Sequence, residues 1–331
     1  MKIADLAGIE KPLNKIVEVF GSGLGTLTKK YFTKKMTDAK VDEIERISKA
    51  LEKSAVPIQY NNGEIIAKNY KEEDKNLQII TNELNIEERA KSREEHKAAR
   101  RQDNIENITS EAFLSYINDK NLNENYTDEK PSEDWINRFF DYAEDISSEE
   151  MQHLWSKVLE GEIKRPNSYS LKTLEFLKTT SKEDARSFNK IVDLIFVTSN
   201  SYIIPRELNK YTNNIQYNDI LVNIENNLIM PTENMSFSLN VGPTKQVITF
   251  SNKYIISLGN LKKKINIPAY GLTQTGVEIF NLTKNESSID YIKKIAKLFV
   301  SDSEVNIYEV TNLKEMSGET TCIIKEEIKL D

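Results

Sequence analysis

The stretch SEDWINRFFDYAEDISSEEMQHLWSKVLEGEI, residues 132–163, contains both tryptophans of the chain and reads as two consecutive amphipathic helices. In the first half Trp135, Ile136, Phe139, Phe140 and Ala143 recur at the three- and four-residue steps of one helical face. Ser132 or Asp134 supplies its cap. The second half opens on Ser147 followed by Glu150, a hydroxyl and a carboxylate at capping-box spacing. Met151, Leu154, Trp155, Val158 and Leu159 then line one side, and Gly161 and Pro166 punctuate the end. Two further helices are predicted over residues 170–178 and 181–197. Residues 132–199 therefore read as a helical core domain.

Upstream, residues 1–55 read as N-terminal amphipathic helices with a glycine-rich break at Gly21, Gly23 and Gly25. Leu13, Ile16, Phe20 and Leu24 lie on one face, and Lys29, Lys30, Lys34 and Lys35 follow. Residues 1–36 hold seven Lys against Asp5, Glu10 and Glu18, a local charge of +4. Such a face fits a core helix of a small bundle, or a surface that docks onto a partner or an anionic membrane. A loop over residues 56–69 carries Asn61-Asn62-Gly63 and has room for a short hairpin. Residues 70–117 read as one long charged helix, with interleaved charges in EERAKSREEHKAARRQDN and a solvated surface.

Beyond residue 200 the texture changes. FSLNV, residues 237–241, and QVITF, residues 246–250, alternate with period two around Gly242-Pro243, which signals a hairpin. Flanking helices make residues 200–300 a winged-helix-like module. Residues 301–331 read as a terminal β-hairpin that turns at Ser317-Gly318. The expected fold class is mainly α: a helical bundle with a long charged helix, then a winged-helix-like α+β module.

The composition narrows the chemistry. A single cysteine, Cys322, excludes a disulfide framework, and two histidines leave little for imidazole-based metal binding. Glu150-Met-Gln-His153 has the E-x-x-H spacing of a di-iron bundle, but a second such motif is missing because position 93 is Arg. Gly21-Ser-Gly-Leu-Gly25 lacks both the third glycine of a dinucleotide loop and a preceding strand. There is no G-x-S-x-G elbow, and Asp141, Glu144 and Asp145 read as the wet face of a helix. The net charge of −7 argues against a surface that binds nucleic acid throughout. No apolar run approaches a membrane span, and the first residues do not form a secretory signal.

Three stretches carry a family resemblance: Asp5-Leu-Ala-Gly-Ile-Glu-Lys-Pro-Leu13, Arg100-Arg-Gln-Asp-Asn-Ile-Glu-Asn-Ile108, and Asp145-Ile-Ser-Ser-Glu-Glu-Met-Gln-His-Leu-Trp155. The third continues through Leu159-Glu-Gly-Glu162, Pro166, Ser170-Leu-Lys-Thr-Leu174 and Asp184-Ala185. In these the chain resembles the bacterial family catalogued as domain of unknown function 2806. In layout it is similar to the Abi-alpha proteins linked to phage abortive infection. The resemblance implies a bacterial cytosolic protein that serves in phage defence, and it carries over no catalytic residue.

The expected function is that of a non-enzymatic interaction protein without cofactor. It is expected in the cytoplasm or peripherally at the inner face of the membrane. Its partner is a protein, a second copy or a membrane surface, engaged through Leu13, Ile16, Phe20, Leu24, Lys29, Lys30, Lys34 and Lys35. The alternative is a winged-helix DNA-binding regulator that uses Lys262, Lys263 and Lys264. The candidate recognition helix over residues 217–227 weighs against it, because it contains Asp219 and Glu225 and no Lys or Arg.

Overall fold

The computed structural model describes residues 15–16, 18–21, 58–61, 64–67, 86–118, 127, 129–198, 201–212, 215–232, 235–242, 245–251, 253–283, 286–316 and 319–330. The chain divides into two compact units, Met1–Pro166 and Asn167–Asp331.

In the first unit a two-stranded antiparallel hairpin pairs β1 (Ile58–Asn61) with β2 (Glu64–Ala67) around Asn62-Gly63. Among the described residues three helices follow: α1 (Ile86–Asn118), α2 (Glu133–Ala143) and α3 (Glu149–Lys164). Ser132 caps α2, its hydroxyl accepting from the Trp135 N–H at 3.2 Å. Ser148, one residue beyond the expected position, caps α3 by accepting from the Met151 N–H. The buried face of α3 also differs from the expected one. Met151 and Leu154 are half-buried, while Gln152, Trp155, Ser156, Val158, Leu159, Glu162 and Ile163 face inward. The Trp135 and Phe139 rings stack at 5.1 Å, and Phe139 meets Trp155 at 5.2 Å. Ile105, Ile108, Ala112, Phe113 and Tyr116 of α1 complete this core.

The second unit begins with α4 (Leu171–Thr179) and α5 (Lys182–Val192), so the two compact units part within the helical stretch that reads as one domain in the sequence. A capping box starts α5: Ser181 Oγ accepts from the Asp184 N–H at 3.1 Å, and Asp184 Oδ2 accepts from the Ser181 N–H at 2.9 Å. The helix stops at Val192, five residues before the predicted end, and β3 (Phe196–Thr198) follows. Next come β4 (Ser201–Pro205), a 3₁₀ turn (Leu208–Lys210) and α6 (Tyr217–Glu225). The chain continues through β5 (Ser236–Leu239), β6 (Gln246–Phe250), β7 (Tyr254–Gly259) and β8 (Ile265–Gly271). It ends with α7 (Gln274–Leu282), α8 (Ile289–Lys297), β9 (Glu304–Met316) and β10 (Glu319–Ile328).

These strands form an eight-stranded antiparallel open sheet in the order β10-β9-β7-β6-β3-β4-β8-β5. The fold is mixed α+β and contains no winged helix. The expected hairpin does not form. Phe237 of β5 lies opposite Ile267 of β8 at one edge, whereas β6 pairs with β7 and, through Thr249, with Val197 of β3. Period-two alternation identifies a strand and its buried face but leaves its partner open. The terminal strands β9 and β10 continue the same sheet, since β9 pairs along β7.

Both faces of this sheet are covered. Phe196 and Phe250 meet at 5.8 Å on one side, and Phe250 meets Tyr291 of α8 edge-on at 6.0 Å. Tyr202, opposite Val197 in the register and so on the other face, meets Phe280 of α7 at 5.5 Å. Gly276 lets α7 press against the preceding chain, because a Cβ there would stand 2.1 Å from the Leu228 carbonyl oxygen.

Candidate functional site

The inner half of α1 is fixed by a polar lattice. Asn104, 4 % exposed, donates from Nδ2 to the Glu144 carbonyl at 2.8 Å and accepts on Oδ1 from Gln152 Nε2 at 3.2 Å. The same Gln152 amide donates to the Ile146 carbonyl at 2.9 Å. One turn earlier Arg101 Nε donates to Asp145 Oδ1 at 3.0 Å, and Nη1 lies 3.0 Å from Glu144 Oε1. The bond to Asp145, with Glu144 adding to it, holds the guanidinium above its ordinary pKa. The loop between α2 and α3 is thereby tied to α1 at Glu144 and Asp145, and to α3 at Ile146. Arg101, Asn104, Asp145 and Gln152 all lie in the stretches that carry the family resemblance, and here they serve as joinery.

The outer half of α1 has no such support. Every residue from 86 to 100 is exposed, which is more than four helical turns. Along this bare segment Arg89, Arg93, His96 and Arg100 follow one another at i, i+4, i+7 and i+11, with Lys97 beside them, so one ridge is wholly basic. Glu87, Glu88, Glu94 and Glu95 take the opposite side. The ion pair from Arg93 to Glu94, at 3.6 Å, joins two well-solvated groups. These charges interleave along the chain, and the helical positions sort them. The spacing of the basic residues was the available signal.

The residues singled out from sequence are placed differently. Leu13, Leu24, Lys29, Lys30, Lys34 and Lys35 lie outside the described residues. Ile16 and Phe20 are 0 % and 2 % exposed, packed into the first unit, and so present no apolar surface to solvent. Their neighbours point the same way: the buried Lys15 donates from Nζ to the Thr127 carbonyl at 3.0 Å, and Glu18 pairs with Lys130 at 2.7 Å. Lys262, Lys263 and Lys264 are exposed in the turn between β7 and β8. Lys263 pairs with Asp302 at 3.0 Å, and the Lys262 N–H donates to the Asp302 carbonyl. The Ser301 hydroxyl and then Lys263 hold the Asp302 carboxyl below its ordinary pKa. His153 is exposed on α3 and pairs with Glu111 of α1.

Two buried carboxylates organise the second unit. Glu278 Oε2 accepts from the Ser170 N–H at 2.7 Å, the Ser170 hydroxyl at 3.1 Å and the Thr173 hydroxyl at 2.6 Å. It thus caps the positive end of α4 from α7. Asp219, at the start of α6, accepts from Lys190 of α5 at 2.7 Å and from the Gln216 N–H at 2.9 Å. Burial opposes its ionisation, but Lys190 and the Gln216 N–H outweigh that and hold the carboxyl below its ordinary pKa. Ser187 and Asn223 extend the joint, the hydroxyl donating to the Asp219 carbonyl at 3.2 Å and the Asn223 amide donating to Ser187 at 3.2 Å. These groups are committed to helix packing.

Among the described residues no group of three or more His, Cys, Asp or Glu is placed to hold a metal ion, and no helix is long and apolar enough to cross a membrane. No curated protein and no solved structure matches the chain. The likeness in layout to the Abi-alpha proteins included a winged-helix end, which here is the eight-stranded sheet, so that link to phage defence loses its structural support. The family described as protein of unknown function (DUF2806) matches residues 88–296, from the basic segment of α1 through α8 and more than half of the chain. The chain belongs to the DUF2806 family.

Proposed function

We propose that this chain is a non-enzymatic binding protein that engages its partner through the outer half of α1. The observation that carries this reading is the bare helix over residues 86–100, exposed throughout while the same helix is locked into the core from residue 101 onward. An isolated helix of about 15 residues is marginal in water, and most helical stability in proteins comes from packing of a face. Every residue of this segment is exposed, so it buries no apolar face against the described residues. Two of its i,i+4 steps are repulsive, Arg89 to Arg93 and Arg93 to Lys97, and two are attractive, Glu87 to Lys91 and Lys91 to Glu95, so charge pairing does not make up for the missing packing. A partner that covers the ridge supplies what the fold leaves out.

The reading is tested by placing a photo-crosslinking amino acid at Ala90 or Ser92, which flank the ridge on either side, in the full chain in cells, with Lys172 on α4 as an exposed control. Adducts to a macromolecule at 90 and 92, and none at 172, are expected. Equal yields at all three positions overturn the proposal.

A further inference from the structure

We infer that the basic ridge of α1 is a sequence-independent docking surface for the phosphate backbone of duplex DNA; this rests on the proposed role of the outer half of α1. Arg89, Arg93, Lys97 and Arg100 supply four permanent cations, with His96 in the same row, and all five side chains are exposed. From Arg89 to Arg100 the helix advances about 16 Å, so the cations form one continuous row along it. Three of the four are arginines, whose planar forks match phosphate oxygens better than ammonium groups do.

The chemistry of the segment excludes other occupants in turn. A protein partner needs an apolar or aromatic centre in its interface, and residues 86–100 offer only Ile86, alone at the start of the helix, and alanines. A single strand is held by aromatic stacking platforms, and the segment has no Phe, Tyr or Trp. Duplex RNA is read through its 2′-hydroxyls by polar side chains, and the ridge offers cations alone. The far side of the helix sets the mode of docking. Glu87, Glu88, Glu94 and Glu95 would meet the opposite strand if the helix entered the major groove, so it lies on one backbone and leaves the base edges unread. The net charge of −7 lies elsewhere on the chain and makes binding weaker and more salt-dependent than the ridge alone would give.

The experiment is fluorescence anisotropy of a labelled 30-base-pair duplex titrated with the full chain between 50 and 200 mM salt. Four neutralised phosphates give a slope of about −3.6 in log K against log salt, which is a loss of about 150-fold over that range. The triple reversal R89E/R93E/R100E removes binding at 50 mM salt. The control K172E/K182E/R186E has the same net charge, with its changes at exposed positions of α4 and α5, and retains affinity within threefold. Circular dichroism confirms that both variants fold. Four outcomes overturn the inference: no binding at 50 mM salt, equal loss in the two variants, a slope shallower than −2, or competition by polyglutamate or phosphatidylserine vesicles equal to that by unlabelled duplex at matched charge. If the duplex fails while photo-crosslinks at 90 and 92 persist on a protein, the DNA assignment falls and the binding role of α1 stands. If both fail, both fall.

Discussion

Gln152 donates its side-chain amide to Asn104 Oδ1 across 3.2 Å, joining α3 to α1 within the interior of the first unit. Each amide also binds the intervening loop, Asn104 at the Glu144 carbonyl and Gln152 at the Ile146 carbonyl. Removing either one strands a buried partner, which costs about 1–3 kcal/mol. Asn104→Ala and Gln152→Ala are each expected to lower unfolding free energy within that range. The double variant is expected to cost less than the sum, because the second deletion removes a group that the first has already orphaned. Urea unfolding of the four proteins checks this; strict additivity would show that the two amides act independently.

How much of this was legible beforehand depends on whether a feature is local. The core of Trp135, Phe139 and Trp155 follows from spacing alone, and all three are buried. Strand partners do not follow. Phe237 reads as a strand residue from its neighbours, yet it pairs with Ile267, beyond β6 and β7 in the chain. Residues 194–197 are Leu-Ile-Phe-Val, a short apolar run whose periodicity cannot separate a buried strand from the last turn of a helix. The ridge of α1 was visible as residues but not as a surface. Its cations alternate with acids along the chain and separate only around the helix, and only the structure shows that every residue there is exposed.

Gly276 answers to a different constraint. In an exposed helix, replacing glycine by alanine gains about 1 kcal/mol. Here the added Cβ would stand 2.1 Å from the Leu228 carbonyl oxygen, a backbone atom that cannot swing aside. Gly276→Ala is therefore expected to reverse the sign and destabilise by about 1–3 kcal/mol, the cost of overpacking. Thermal melting of the variant against the parent chain decides it, and an unchanged or raised midpoint would mean that α7 has room to move.

Glu278 separates hydrogen bonding from charge. Its Oε2 takes three donors from the first turn of α4, while Oε1 accepts from Gln274 at 2.9 Å. Glutamine keeps one oxygen for the three donors, and Gln274 can rotate its amide to accept from the new NH₂. Alanine leaves the Ser170 and Thr173 donors buried and unpaired. Glu278→Gln is expected to cost about 1 kcal/mol and Glu278→Ala about 3 kcal/mol. Equal losses in chemical denaturation would show that the charge at the N-terminus of α4 dominates the hydrogen bonds.

The joint between α5 and α6 is acid-sensitive. Asp184 is held below its ordinary pKa first by the Ser181 hydroxyl, then by the Asn226 amide and the Ser181 N–H. Asp219 is held down by Lys190 and the Gln216 N–H against the opposing effect of burial. A carboxyl whose folded pKa lies below its unfolded value of about 3.9 contributes stability that is complete above that value and is lost as pH falls through the folded pKa. Unfolding free energy is thus expected to be flat from these two groups above about pH 5 and to decline below pH 4. Asp219→Asn removes one of them. The variant should be less stable than the parent at pH 7, with the gap narrowing as the pH approaches 3, because protonation takes from the parent what the substitution has already removed. Denaturation midpoints for both proteins across pH 3–7 check the sign, and a gap that widens in acid would place the sensitivity elsewhere than at Asp219.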